Sequence, residues 1–337
     1  MRRVVVIGGG TGTFTVLQGL RSYPFELSAI VSTADDGGST GLLRDELGVL
    51  PPGDIRQALV ALSGEGKVLR ELFSYRFSDG SLKGHSFGNL FLSALEKVTG
   101  SFDEAVLEAS RILAVSGQVI PVSRELIHLR AEMSDGSLIK GEHAIEESIW
   151  SEISSIARMW LEPECTIHPL AKQAIKRADL IVIAPGSIFT SLIPNLLVGG
   201  MREALQQTKA PILYTVNLMT EKGQTGTYFV QDFVDLIEQY LGVGEIDYVL
   251  YNTKVPDKEL LERYKREMER LPVRLDRKRP THYKVIGTNL LSPTAHYRPK
   301  EGDILAASRT LIRHDPRKLA EAVYALSVHK YVKRYFS

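Results

Sequence analysis

The chain has 337 residues, of which 44% are hydrophobic and 24% are charged. This composition is that of an ordinary folded protein, and it excludes disordered, collagen-like and coiled-coil classes. The 41 Lys and Arg residues nearly equal the 40 Asp and Glu residues, so the chain lacks the positive field by which proteins hold nucleic acid.

The first predicted strand leads into a glycine-rich turn. Val4 to Ile7 is a short run of β-branched residues, typical of a strand buried on both faces of a parallel sheet, and a helix-length segment ends at Arg21. Glycines in such a turn let the backbone approach a phosphate while N–H groups at the helix start point at it. A tight turn that needs glycine for geometry alone is the alternative. The predicted phosphate-binding residues are Gly8, Gly9, Gly10, Thr11, Gly12 and Thr13.

Two common nucleotide-binding motifs are not matched. The dinucleotide pattern G-x-G-x-x-G, begun at Gly8, has Thr13 in place of its third glycine. The acidic residue expected at the end of the second strand also comes late, at Asp35. The Walker pattern fails because Val68 follows the one Gly-Lys pair. An NAD-binding protein is therefore only a weaker alternative.

Paired carboxylates follow the second predicted strand, which runs from Leu27 to Val31. Carboxylates at the carboxyl end of a strand can hold Mg²⁺ beside phosphates or accept a proton from an attacking hydroxyl. An Asp-Asp-Gly-Gly segment is also ordinary turn chemistry. Position favours a site, because open α/β sheets bind ligands along the edge where their strands end. The predicted contacts are Asp35, Asp36, Gly37, Gly38 and Ser39, with Asp35 and Asp36 as candidate metal ligands.

Three further segments place polar side chains beside glycines at helix starts. In the first, Asp54 is placed to cap a helix, and Arg56 either clamps a phosphate or is a solvated side chain. The second surrounds His85 and precedes the most apolar helix in the chain. The third lies between a strand and a helix, and Asn217 ends the next strand, where it could read a base or sugar edge. The candidate ligand-binding residues of these segments are Asp54, Arg56, His85, Ser86, Asn89, Gly186, Ser187 and Asn217.

The middle of the chain changes its pattern. From Gln118 to Ile145 apolar and polar residues alternate around Ser134-Asp135-Gly136, which predicts a β-hairpin. The fold class is therefore α/β, with a parallel sheet, helices on both of its faces and a hairpin-containing insertion. Later strands are predicted at 180–184, 212–216 and 248–251, an exposed helix and loop at 257–279, and a final helix at 316–335. The predicted division is 1–117 as a nucleotide-binding half, 118–165 as the inserted hairpin and helical segment, and 166–337 as the half that completes the core.

Other kinds of site have little support. A single cysteine, Cys165, and the absence of an H-E-x-x-H motif argue against a zinc site, and no G-x-S-x-G motif supports a serine hydrolase. One cysteine also fits a reducing compartment. No apolar run approaches the roughly 18 residues that a membrane span needs. We predict a cytoplasmic protein.

Six short motifs follow one another along the chain. They are G-G-G-T-G at 8–12, T-A-D-D-G-G-S at 33–39, P-P-G-D-I-R at 51–56, G-H-S-F-G-N at 84–89, A-P-G-S at 184–187 and I-R-H-D at 312–315. Taken in this order, they resemble the CofD-like family and most closely its YvcK branch, the gluconeogenesis factors. The resemblance covers nearly the whole chain, and it implies a Rossmann-like core that binds its ligand along the carboxyl edge of the sheet.

The resemblance implies two functions. The YvcK branch implies a cytoplasmic regulator of carbon metabolism and of cell shape during gluconeogenic growth, which binds UDP-N-acetylglucosamine and has no established reaction. The founding enzymes imply a Mg²⁺-dependent 2-phospho-L-lactate transferase, acting from a guanosine diphosphate-linked donor onto a deazaflavin. In that reaction Asp35 or Asp36 would hold the metal or deprotonate the acceptor hydroxyl, and the glycine loop would cradle the diphosphate.

The YvcK branch also implies two contacts near the end of the chain. Tyr264 would stack on the uracil, and Arg313 would donate to the diphosphate. The predicted partners are a UDP-sugar or other nucleotide, a second copy of the chain and an unidentified protein, with neither nucleic acid nor a membrane span.

Overall fold

The computed structural model describes residues 1–64, 66–148, 155–268, 270–293 and 312–328. Its strands are β1 Arg2–Gly8, β2 Phe25–Val31, β3 Gln118–Pro121, β4 His128–Met133, β5 Leu138–Lys140, β6 Ile156–Glu162, β7 Leu180–Ile183, β8 Ile212–Thr215, β9 Tyr248–Asn252 and β10 Lys284–Thr288.

Helices separate most of these strands. They are α1 Gly10–Leu20, α2 Gly38–Leu47, α3 Gly53–Leu62, α4 Lys67–Ser74, α5 Phe87–Thr99, α6 Phe102–Ile112, α7 Glu142–Glu147, α8 Pro169–Arg177, α9 Ile193–Leu196, α10 Met201–Gln206, α11 Val230–Leu241, α12 Lys258–Met268 and α13 Pro316–Val328. A π-helical turn, Ile188–Leu192, runs directly into α9.

Seven parallel strands form the large sheet, in the order β10-β9-β8-β7-β1-β2-β3. Successive strands are added on one side of β1 up to β3 and on its other side from β7 to β10. The direction of winding therefore reverses between β1 and β7. In open α/β sheets the crevice at such a reversal, outside the carboxyl ends of the strands, is where ligands bind. The α/β fold and its parallel sheet agree with the sequence prediction.

A hydrophobic core covers each face of the sheet. On one face α1, α3 and α13 pack through Leu17, Leu59 and Leu319, and on the other α8 and α11 pack through Ile175 and Phe233. Because helices cover both faces, the β-branched run of β1 is buried along its whole length.

The small sheet is antiparallel, in the order β5-β4-β6. It contains the predicted hairpin, whose turn includes Gly136. The start of this segment differs from the prediction, because β3 pairs with β2 and belongs to the large sheet. Local alternation indicates a strand but not the sheet that the strand joins. The small sheet therefore begins only at His128, and the three-part division of the chain stays a prediction.

The last described helix, α13, packs on α1, where the carbonyl oxygen of Pro316 approaches Gly19 so closely that a Cβ there would overlap it. The end of the final helix predicted up to Tyr335 lies outside the described residues. Within the described ranges, no helix combines the length and the apolar character needed to cross a membrane.

Candidate functional site

The glycine-rich turn lies where the winding of the sheet reverses. Gly10 has a φ of +61°, a left-handed conformation that favours glycine. At Gly12 a Cβ would overlap the carbonyl oxygen of Pro185. The turn after β1 is thus packed against the loop after β7, and glycine is required for that approach. Within the turn Thr11 is exposed and Thr13 is buried.

A carboxylate lies at the start of α1. The residue before this helix, Gly9, has no side chain to cap it, and Asp54 takes that place: its Oδ1 accepts from the N–H of Gly10 at 2.9 Å. Asp54 comes from the first turn of α3. The position favours an anion, because the first N–H groups of a helix are unpaired and the helix dipole is positive there.

Asp35 lies beside Asp54. A Cβ at Gly53 would be 2.6 Å from Oδ2 of Asp35, and Oδ1 of Asp35 accepts from the N–H of Gly37 at 2.9 Å. Burial raises the pKa of both carboxyls. Repulsion by Asp36 adds to the increase at Asp35, and repulsion by Asp35 adds to the increase at Asp54, whose pKa reaches about 7. The hydrogen bonds from Gly10 and Gly37 oppose these increases.

Asp36 is not at the position expected of a metal ligand, because both of its carboxylate oxygens accept hydrogen bonds from another segment. Its Oδ1 accepts from the N–H of His143 at 2.9 Å, and its Oδ2 accepts from the N–H of Glu142 at 3.2 Å. Asp36 therefore holds the first turn of α7 and ties the small sheet's segment to the end of β2. The carboxylate that neighbours Asp35 across the crevice is Asp54, which the sequence pattern indicated as a helix cap. Gly37, Gly38 and Ser39 form the start of α2.

Further carboxyl groups, which the sequence analysis did not identify, face the same crevice. Burial, and then repulsion by Asp35 and Glu146, raise the pKa of Glu142 to about 9. Burial likewise raises the pKa of Glu221, whose Oε2 accepts from the hydroxyl of Ser187 at 3.4 Å. These glutamates belong to no sequence motif. The position of α7 places Glu142 at the crevice, and the turn after β8 places Glu221 there. In the described part of the chain no group of three or more His, Cys, Asp or Glu residues is arranged to hold a metal ion.

Arg56 is held between α3 and α5. Its Nε donates to Oδ1 of Asn89 at 2.8 Å, and its Nη1 donates to the carbonyl oxygen of Phe73 at 3.4 Å. Ser86 caps α5 by accepting from the N–H of Asn89 at 3.2 Å. Nδ1 of the neighbouring His85 is buried and has no hydrogen-bond partner among the described residues. These four predicted residues therefore lie together.

Asn217 fixes the loop after β7. Its Oδ1 accepts from the N–H of Gly186 at 2.9 Å, and its Nδ2 donates to the carbonyl oxygen of Gly186 at 2.8 Å. Because the loop around Gly186 packs on Gly12, Asn217 supports the glycine turn from the end of β8.

Tyr264 and Arg313 belong to neighbouring segments. The Tyr264 hydroxyl accepts from the N–H of Ile312 at 3.1 Å, but the Tyr264 side chain is only 2% exposed. Its ring faces are covered in this structure, so it offers no open surface for the predicted stacking. Arg313 is half-buried, and the next residue, His314, lies against the carbonyl group of Val216 at the end of β8. This places the Arg313 segment at the carboxyl edge of the sheet.

A basic cavity of about 410 Å³ lies beyond the carboxyl end of β9. Arg270 connects it to the acidic crevice, since its charge lowers the pKa of Glu221 against the effect of burial. Five cationic residues and one glutamate contribute to its lining, and the sequence analysis identified none of them. They are Lys254, Lys265, Arg270, Arg274, Arg277 and Glu262.

Known proteins resemble this chain over most of its length. The family described as "2-phospho-L-lactate transferase CofD" matches residues 4–291. A gluconeogenesis factor of Bacillus subtilis (strain 168) is 40% identical over 328 residues, which are 96% of this chain and 98% of that protein. A gluconeogenesis factor of Listeria monocytogenes is 39% identical over 326 residues, 96% of this chain and 95% of that protein. The crystal structure of a member of the UPF0052 family from Bacillus halodurans aligns with a TM-score of 0.85 and 36% identity, covering 96% of this chain and 98% of that one.

Proposed function

The chain belongs to the CofD family, in the branch of the gluconeogenesis factors, and on this premise we propose that it binds a nucleotide sugar, UDP-N-acetylglucosamine, at the carboxyl edge of its large sheet. In this proposal the protein is a cytoplasmic regulator of carbon metabolism and of cell shape during gluconeogenic growth. Its regulatory activity would depend on whether the nucleotide sugar is bound.

The observation that carries the proposal is the arrangement of helix starts at the crevice. α1 and α2 follow the neighbouring strands β1 and β2, and their N-cap residues, Gly9 and Gly37, provide no side-chain acceptor. The first N–H groups of α1 thus lie where the winding reverses, and those of α2 lie one strand further along the same edge of the sheet. Such groups bind phosphate through direct hydrogen bonds and through the helix dipole. A diphosphate is the part of a nucleotide sugar that fits this position.

The sheet also provides room for the rest of the ligand. β1, β7, β8 and β9 are consecutive, so the glycine turn and the basic cavity are about 14 Å apart, three strand spacings. An extended nucleotide sugar can bridge this span. Arg313, at the end of β8, lies between the two, where its guanidinium can donate to a diphosphate oxygen.

Asp35 and Asp54 would hold Mg²⁺ if the ligand brings it. Mg²⁺ binds through one or two carboxylates and completes its coordination with phosphate oxygens and water. Asp35 and Asp54 fit this pattern because they are adjacent and their ionised forms are costly without a cation, as their raised pKa values indicate. When bound, Mg²⁺ would neutralise the charge of the diphosphate.

The second candidate is phospholactyl transfer, and the pKa of Asp54 favours it. A carboxyl with a pKa of about 7 suits a general base at neutral pH. The acceptor hydroxyl oxygen would attack the phosphorus that bears the lactyl group, and its proton would pass to Asp54. The bond from that phosphorus to guanosine monophosphate would break.

A thermal-shift titration separates the two candidates. The ligands are UDP-N-acetylglucosamine, UDP-glucose, GDP, GTP and NAD, each with and without Mg²⁺. A ligand that binds only the native state raises the unfolding midpoint by mass action. Selective stabilisation by the UDP-sugars supports the regulator. Stabilisation by GDP with Mg²⁺ alone contradicts it and calls for an assay of phospholactyl transfer.

Arg313→Ala tests the predicted diphosphate contact. We expect this change to weaken UDP-N-acetylglucosamine binding by about 1 to 3 kcal/mol, the range for a hydrogen bond to a charged group. Isothermal titration calorimetry measures the affinity. The matched control is Arg317→Ala, an exposed arginine in the first turn of α13. Equal affinities for the wild type and Arg313→Ala would remove Arg313 from the site.

A further inference from the structure

The side chain of Ser191, in the π-helical turn after β7, lies beside the glycine turn. A Cβ at Gly9 would be 3.6 Å from Cβ of Ser191, and a Cβ at Gly10 would be 3.9 Å from its Oγ. Gly9 and Gly10 are the N-cap and the first residue of α1. The Ser191 hydroxyl is therefore next to the N–H groups that begin this helix.

The Ser191 hydroxyl has an unused donor. In the described part of the chain, no group forms a hydrogen bond with this hydroxyl, although the residue is half-buried. Protein hydroxyls ordinarily bond to the backbone, to another side chain or to water. Ser110, for example, is also half-buried and donates to the carbonyl oxygen of Val106 at 2.7 Å. The Ser191 hydroxyl is thus available to a bound molecule.

Asn195 holds the backbone of Ser191 in place. Its Nδ2 donates to the carbonyl oxygen of Ser191 at 2.8 Å and to the carbonyl oxygen of Gly8 at 3.4 Å. Asn195 is fully buried, so water does not compete for these bonds. Because Gly8 ends β1, Asn195 joins the π-helical turn directly to the glycine turn.

The π-helical turn itself fixes the position of Ser191. The N–H groups of Ser191 and Leu192 both donate to the carbonyl oxygen of Ser187, at 2.9 and 3.2 Å. A turn of this kind contains one residue more than an α-helical turn, and such turns are frequent at functional sites. A Cβ at Gly186 would be 3.3 Å from Cβ of Ser191, so the preceding loop also packs against this side chain.

A second hydroxyl without a partner lies within the glycine turn. Thr13 is 2% exposed, and its Oγ1 is buried with no hydrogen-bond partner among the described residues. A Cβ at Gly8 would be 2.6 Å from this oxygen. Buried hydroxyls are nearly always hydrogen-bonded, so the Thr13 hydroxyl is an independent observation that favours a bound acceptor at this place.

We propose that the Ser191 hydroxyl is a phosphate-binding group of the glycine turn and donates to an oxygen of the diphosphate. This inference rests on the proposed function, which places the diphosphate at the start of α1, and it adds a residue that selects ligands with a phosphate there. A neutral donor suits the position, because Asp54 borders the same residue, Gly9. A lysine or arginine in place of Ser191 would instead form an ion pair with Asp54.

Isothermal titration calorimetry with UDP-N-acetylglucosamine and with GDP tests this contact in the wild type, Ser191→Ala, Ser191→Cys and Ser110→Ala. Alanine keeps the Cβ that packs near Gly186 and removes only the hydroxyl. Cysteine keeps the shape of the side chain but is a weak donor. Ser110→Ala is the matched control, since it removes a half-buried serine hydroxyl from α6. Unfolding midpoints without ligand confirm that each variant is folded.

We expect Ser191→Ala to bind UDP-N-acetylglucosamine about tenfold or more weakly than the wild type, as for a lost hydrogen bond to a charged group. Ser191→Cys should lose most of the same affinity, and Ser110→Ala should lose none. If Ser191→Ala does not fold, the result for Ser191→Cys decides the question.

The failure of this contact differs from the failure of the proposed function. Equal affinities of the wild type, Ser191→Ala and Ser191→Cys for UDP-N-acetylglucosamine would overturn the role of Ser191 and leave the proposed function in place. If only GDP binds the wild type, and binds Ser191→Ala about tenfold more weakly, the proposed function fails and the role of Ser191 stands. Binding of neither nucleotide to the wild type would overturn both.

Discussion

At the scale of single residues, two aspartates have roles opposite to the predicted ones. The predicted metal ligand caps a helix, and the predicted helix cap lies at the crevice. Asp36 follows Asp35 in a segment typical of a metal site, yet it caps a helix more than a hundred residues away in the chain. Asp54 was predicted to cap α3, but the N-cap residue of α3 is Pro52, and Asp54 instead accepts a hydrogen bond from the glycine turn that begins α1. Local sequence identifies a carboxylate that can accept hydrogen bonds, but the fold decides which donors reach it.

Asp54→Asn should change how stability depends on pH. The pKa of Asp54 is about 7 in the folded protein and near 3.8 when unfolded, so between these values the folded state holds a proton that the unfolded state releases. Wild-type stability therefore falls as pH rises from about 4 to about 7, and above that the loss is complete. Asparagine cannot ionise but still accepts from Gly10. We expect Asp54→Asn to gain about 1 to 3 kcal/mol relative to the wild type between about pH 5 and pH 8.

Urea unfolding at several pH values measures this gain. The control is Val243→Ala, an exposed side chain that cannot ionise, for which the difference from the wild type should stay constant with pH. A constant difference for Asp54→Asn as well would mean that Asp54 is already ionised below neutral pH in the folded protein.

At the scale of elements, α2 and α7 join the small sheet to the crevice. Arg44 of α2 is 2% exposed, and its guanidinium lies 2.6 Å from Nδ1 of His128 on β4 and 3.5 Å from the carbonyl oxygen of Asp35. Asp36 holds the start of α7. The small sheet's segment therefore contacts the residues after β2 at two separate points.

Asp36→Ala should loosen α7 without unfolding the protein. Loss of an acceptor at a helix start costs about 0.5 to 2 kcal/mol, and in this helix of six residues the first turn is most of the length. We expect faster amide hydrogen exchange in residues 142–147 and unchanged exchange in β1. Asp45→Ala, which removes an exposed carboxylate of α2, is the control and should leave both unchanged. Equal protection of α7 in Asp36→Ala and the wild type would show that other contacts hold it.

The helices and strands differ in how clearly their apolar patterns predict them. β1, β2 and α3 were predicted, because burial on both faces leaves a continuous apolar run and burial on one face leaves a helical spacing. α11 has an equally clear spacing, with Val230, Phe233, Val234 and Ile237 fully buried, and the sequence analysis overlooked it. β10 is harder to predict, since it is a five-residue edge strand with one buried position, Ile286.

At the scale of the whole molecule, one sheet unites the first and last thirds of the chain. β1 pairs with β2 on one side and with β7 on the other. The general location of the site could be predicted, because loops after parallel strands gather at one edge. The contributions of Glu142 and of the basic cavity could not, because they depend on how α7 and α12 pack.

Gly12→Ala should destabilise the whole protein. The new Cβ would overlap the carbonyl oxygen of Pro185, so the two central loops would have to separate, at a cost of about 1 to 3 kcal/mol for overpacking. Circular dichroism in urea should show a single transition at a lower midpoint. The control is Gly226→Ala, where a Cβ meets nothing within 4 Å. Equal midpoints for the two variants would mean that the loops adjust without cost.

The contact between Asp36 and α7 has a consequence for communication through the protein. Asp35 and Asp36 are joined by one peptide bond, which fixes their Cα atoms about 3.8 Å apart. Asp35 faces the crevice and Asp36 accepts from the first turn of α7, so a ligand that shifts the backbone at Asp35 would also shift the anchor of α7. Suppose that a macromolecule binds the small sheet and shifts α7. By thermodynamic reciprocity, it must change the affinity for the ligand by the same factor by which the ligand changes the affinity for the macromolecule. Ligand binding in the crevice would thereby alter the affinity of a partner that binds the outer surface of the small sheet.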